Sequence, residues 1–140
     1  MHWHRESPVR RAELALAVAD LNCDSVVIVG TPVDPRRQDR ARRQCLERLL
    51  WDLRTRSVGL VRAESRGPER DRADTTALAG FRRKNVMPAG MRFEHGLPAQ
   101  DRCLWLPDTV AGAILADLRG DSRYRKPLDH SLRVLLVELG

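Results

Sequence analysis

The sequence predicts an α/β fold in a single domain, residues 1–140, on three observations. Residues 25–30 (Ser-Val-Val-Ile-Val-Gly) and 58–63 (Val-Gly-Leu-Val-Arg-Ala) are apolar runs of strand length, the first dense in β-branched side chains. Between them, from about 35 to 55, apolar residues recur at helical spacing. A chain of 140 residues that is 42% hydrophobic and 31% charged has the make-up of one globular domain with a real core.

The elements follow in order. Ser7 is a good N-cap and Pro8 suits the first helical position, where its missing N–H costs nothing. Leu14, Ala15, Val18 and Leu21 then carry a helix from about 8 to 20. The run at 25–30 is apolar on both faces and reads as a buried parallel strand. Asp34-Pro35 repeats the helix-start signal, and Ala41, Cys45, Leu46, Leu49, Leu50 and Leu53 form the stripe of the helix at 35–55. The next apolar run ends at Glu64. Strand, helix and strand in this order predict a right-handed crossover with the two strands parallel. Gly67-Pro68 starts a helix over 69–84 with Ala73, Ala77, Leu78 and Phe81 inward. Residues 91–95 alternate like a half-buried strand, and 103–106 form another apolar run that meets a helix start at Pro107-Asp108. The helix at 109–118 is nearly uncharged, so it is buried on most sides, and Gly120 ends it. After an irregular polar stretch, residues 132–138 form a last strand.

Composition excludes several classes. No apolar run approaches the roughly 20 residues that span a bilayer, and residues 1–6 show no apolar signal region, so a cytoplasmic protein without membrane association is expected. Cys23, Cys45 and Cys103 are too few and too scattered for a disulfide framework or zinc site, and are expected to be reduced and structural. Neither a Gly-x-Ser-x-Gly elbow nor a Gly-rich phosphate loop is present. The net charge of +6 suits a polyanion such as nucleic acid, with Arg36, Arg37, Arg40 and Arg66 as candidate phosphate contacts. All the cations but Lys84 and Lys126 are arginines, a bias that a GC-rich coding sequence also produces. Aromatic content of 4% argues against recognition by base stacking.

The candidate chemistry is carboxylate chemistry. Glu64 and Asp108 each follow an apolar run at what reads as a strand's carboxyl end, where ligand sites collect in α/β sheets. They are the candidate catalytic pair and, with Asp71, the candidate metal ligands, for Mg²⁺ or Mn²⁺. The structural alternatives are a helix cap at Asp108, a solvated strand end at Glu64, and dipole-favouring acids at Asp71 and Asp74, one turn apart.

His2-Trp3-His4 with Glu6-Ser7-Pro8, Val29-Gly30-Thr31-Pro32-Val33-Asp34, Glu64-Ser65-Arg66 and Leu104-Trp105-Leu106-Pro107-Asp108-Thr109-Val110-Ala111-Gly112 resemble a family of uncharacterised actinobacterial proteins. These are similar to a bacterial domain-of-unknown-function family of the RNase-H-like superfamily. The resemblance implies a mixed sheet with helices on both faces, and carboxylates that hold divalent metal for phosphodiester cleavage. Glu64 matches the acid ending that family's fifth strand, Asp108 the acid of its late helix, and His2 or His4 a polar position before its first helix. The family's N-terminal three-stranded hairpin, whose first strand carries Asp-Glu-Ser, has no counterpart here, so an N-terminally incomplete domain is expected. The functional expectation is a metal-dependent nuclease; the alternative is a non-catalytic nucleic-acid-binding or protein-interaction domain on the same fold. Without the hairpin, the strand at 25–30 has an open edge. The last strand covers it, or a second copy pairs with it as a homodimer, or the chain is poorly soluble.

Overall fold

The computed structural model describes residues 2–140. Its regular elements are α1 (Pro8–Asp20), β1 (Ser25–Thr31), α2 (Gln38–Thr55), β2 (Leu60–Glu64), α3 (Pro68–Arg83), β3 (Arg92–Gly96), α4 (Trp105–Leu118) and β4 (Leu132–Glu138). Short 3-10 turns lie at Trp3–Arg5, Pro35–Arg37, Arg102–Leu104 and Lys126–Ser131. The start signals act as their chemistry dictates: the Arg10 N–H donates to Ser7 Oγ at 3.2 Å, and the Arg36 N–H to Asp34 Oδ1 at 2.9 Å. Gly120 follows α4 at φ 96°, a conformation that glycine adopts without a Cβ clash.

The chain forms two compact units. One comprises the segments up to Val27 and Pro98–Val134; the other comprises Ile28–Leu97 and Leu135–Gly140. In the first, α1 and α4 enclose a core of Trp3, Leu14, Val18, Val110, Tyr124 and Leu128. In the second, Leu50, Leu78, Phe81, Met87 and Met91 form the core.

The sheet pairing differs from the expected one. β1 neighbours β4, whereas β2 pairs with β3, so the strands flanking α2 do not pair with each other. The parallel crossover is β2–α3–β3, with Val61 opposite Phe93 and Ala63 opposite His95. An apolar run specifies that a strand forms and which faces it buries; the hydrogen-bonding edge is backbone and carries no sequence label. Of the three outcomes for the edge of β1, the structure has the first, an edge occupied by the last strand. Nor is β1 fully buried. Its six residues from Ser25 to Gly30 are half-buried, and Leu60 of β2 and Leu136 of β4 are 42% and 78% exposed, because two-stranded sheets leave much of each strand uncovered.

The run at 103–106 is not a strand. Arg102–Leu104 is a 3-10 turn, started by Asp101 Oδ1 accepting the Cys103 N–H at 3.0 Å, and α4 begins at Trp105. Pro107 is compatible with this because the first helical turn needs no N–H from it. Asp108 therefore lies inside the first turn and is not its helix's cap.

Candidate functional site

In the first unit, the residues of the Pro107-Asp108-x-x-x-Gly112 stretch hold Trp3. The Trp3 N–H donates to Asp108 Oδ2 at 2.9 Å, and Gly112, one turn on, lies so close to the indole that a Cβ there would come within 2.3–2.5 Å of three ring atoms. Tyr124 meets the indole edge-on, with centroids 5.1 Å apart at 89°. Arg11 stacks over the ring at 5.4 Å and donates from Nε to the Trp3 carbonyl at 3.0 Å. Asp108 thus terminates a backbone N–H of a 3-10 turn distant in sequence.

Glu64 is in the second unit, at the end of β2 and opposite Gly96. Strand alternation carries its side chain to the face of Arg62 and Glu94, which pair at 3.3 Å, and away from the face of Ala63 and His95.

That other face leads to a denser constellation. Ser65 and Arg66 leave β2, α3 opens with Asp71 and Asp74 on one side of its first two turns, and β3 brings His95 beside them. Asp74 is buried, 4% exposed. Its Oδ1 accepts from Arg42 Nε at 3.2 Å and Arg66 Nη2 at 3.1 Å; its Oδ2 accepts from Arg42 Nη2 at 3.1 Å and lies 3.2 Å from His95 Nε2. Asp71 accepts from the Ser65 hydroxyl and, at 2.9 Å, from the Arg66 N–H, and its Oδ1 stands 3.7 Å from His95 Nε2. The Ser65 hydroxyl and Arg66 amide hold the Asp71 carboxyl below its usual range. Burial works the other way on Asp74, but the bonds from Arg42 and His95 and the charges of Arg42 and Arg66 outweigh it, so this carboxyl too is held low.

One ligand atom each from Asp71, Asp74 and His95 lies within 4.8 Å of the others, the spacing of a small divalent-cation site. Two carboxylates and an imidazole suit Mn²⁺ better than Mg²⁺. Their present bonding opposes such an ion. A carboxylate has about four lone-pair positions, and four nitrogens already occupy those of Asp74. Two guanidiniums also stand where a dication would need negative charge.

Three members of this network, Arg42, Arg66 and Asp74, also line a groove between α2 and α3, about 1100 Å³ in volume. Seven of its lining residues are cationic and four acidic. Arg42 and Arg66 are committed to Asp74. Arg40, Arg43, Arg70, Arg83 and Lys84 take part in no ion pair among the described residues. Of the expected phosphate contacts, Arg40 and Arg66 line this groove; Arg36 and Arg37 belong to the 3-10 turn before α2 and are not among its lining residues.

Of this network the sequence points to Asp71 as a metal ligand, to Arg66 as a phosphate contact and to Asp74 one turn from Asp71, but not to Arg42 or His95. The three-residue spacing of Asp71 and Asp74 was the available signal. Arg42 and His95, 32 and 21 residues from Asp74, give none. The three cysteines are free; Cys23 and Cys103 are exposed, and only Cys45 is partly enclosed, where burial pushes its thiol pKa up. No protein-family model, curated protein or solved structure matches the chain.

Proposed function

We infer that the second unit is a nucleic-acid-binding module that grips the phosphate backbone along the α2–α3 groove without cleaving it. The observation that carries this reading is the groove's local excess of three positive charges, five of its cations having no ion-pair partner among the described residues. Unpaired arginines facing one groove suit polyanions because each presents a fork of donors that matches phosphate oxygens. Among the described residues the only aromatic side chain on the groove wall is Phe81, itself buried, so stacking plays no part and duplex backbone is the expected ligand. Fluorescence anisotropy with a labelled 20-base-pair duplex of arbitrary sequence tests this. Affinity should fall steeply with salt, and Arg40→Ala and Arg43→Ala should each lower the slope of log K against log salt by about 1. Binding that ignores salt, or that both variants leave intact, sinks the reading.

A second reading is favoured by the spacing of Asp71, Asp74 and His95. In it the second unit is a metal-dependent nuclease of the RNase-H-like kind that the family resemblance implies: Asp71, Asp74 and His95 hold Mn²⁺ or Mg²⁺ after Arg42 moves off Asp74. A bound metal would polarise a phosphoryl oxygen and activate water. Mn²⁺ should then raise the melting temperature of the wild type and not of Asp71→Asn or His95→Gln, and should support nicking of the duplex. Equal melting shifts in all three proteins, with no nicking, remove this reading and leave the first.

A further inference from the structure

Arg42 and Arg66 differ from the other cations of the groove in being held. We propose that Asp74 is a positioning residue for a nucleic-acid phosphate: its buried carboxylate fixes the two guanidiniums so that the donors it does not use face the strand in the groove. This rests on the nucleic-acid reading of the groove and names the point at which the backbone is anchored.

Arg42 gives Nε and Nη2 to Asp74 in a two-point fork, which sets the plane of the guanidinium, and the side chain stays 38% exposed. Its Nη1 donors are not used by Asp74. Arg66 gives Nη2 to the same carboxylate, and its Nε is buried without a hydrogen-bond partner. That Nε has no surface open to the groove, so a phosphate meets Arg66 through the rest of its guanidinium, on a side chain that is 25% exposed. Asp74 is in turn kept from rotating by His95, whose ring packs edge-on against Phe93 at 5.3 Å. Ordering two long arginine side chains is unfavourable; here it is done on folding, so binding need not include it.

Charge alone predicts the opposite. A carboxylate in a cationic groove repels phosphate, so removing it should tighten binding. The two accounts separate in one anisotropy series on the full chain, using the same duplex at fixed salt and with melting curves for each variant. Asp74→Asn should weaken binding about tenfold although the groove gains a positive charge, and Arg42→Lys should weaken it similarly although charge is unchanged. Asp39→Asn is the charge control: it removes another acid from the groove lining and should leave binding equal or tighter. If Asp74→Asn binds as tightly as Asp39→Asn does, or Arg42→Lys binds like wild type, the positioning role is wrong while the groove reading stands. A wild type that does not bind the duplex overturns both. Should Asp74→Asn fail to fold, Arg42→Lys decides the question by itself. Inorganic polyphosphate serves as the competitor; competition equal to the duplex per phosphate would overturn nucleic acid as the occupant.

Discussion

Asp74 is the residue on which most depends in the second unit. It is a buried charge satisfied by two guanidiniums and an imidazole, and removing such a partner is more damaging than the pair's net worth. Asp74→Ala should destabilise the chain by about 3 kcal/mol, the low end for a buried pair because both arginines retain some access to water; the urea midpoint measures it. The pH dependence has a definite sign. The folded carboxyls of Asp71 and Asp74 lie below their unfolded values, so their contribution is fully present above the unfolded value of about 3.9 and is lost as pH falls through the folded one. The stability gap between wild type and Asp74→Asn should therefore shrink as pH falls below about 4. A gap that grows on acidification contradicts the assignment. Asp108→Ala removes the acceptor for the Trp3 N–H and should cost about 1 kcal/mol, with Asp108→Asn recovering most of it.

At the level of elements, α4 is shaped to receive the 3-10 turn at Trp3–Arg5. Asp108 and Gly112 are four residues apart and so share one helix face; the first takes the backbone and the second makes room for the ring. Gly112→Ala should cost about 1–3 kcal/mol through overpacking against the indole. In a Trp3→Ala background the same change should become neutral or stabilising, since glycine inside a helix is worse than alanine by about 0.5–1 kcal/mol. A double-mutant cycle in chemical denaturation reads this sign reversal; additive costs would mean that the contact is not the reason for the glycine. Cys103 and Leu104 close a 3-10 turn and Trp105 and Leu106 begin α4, since a short apolar run does not by itself distinguish strand from helix.

For the whole molecule, two separate cores imply two separable responses to substitution. Trp3→Ala should speed amide hydrogen exchange in α1 and α4, and Asp74→Asn in β2, α3 and β3, each well beyond its effect on the other set. Uniform acceleration of all amides by either change would mean that the cores unfold as one.

The sequence by itself determined the elements and most of their ends, the run at 103–106 excepted. Ser7, Asp34, Gly67-Pro68 and Gly120 act within a turn of where they stand, and the stripes of α2 and α3 need only helical periodicity, so both were legible from local pattern. It also determined the cationic character, because charge is composition. Tertiary structure decided which strands pair, since a backbone edge is the same for every run, and it separated β1 from β2. It decided the candidate site as well. Asp71 and Asp74 advertise themselves by spacing, but Arg42, Arg66 and His95 join them only because α2, the end of β2 and β3 are brought together by packing. Five side chains spread over more than fifty positions become one network through the core beneath them, and no local rule encodes that meeting.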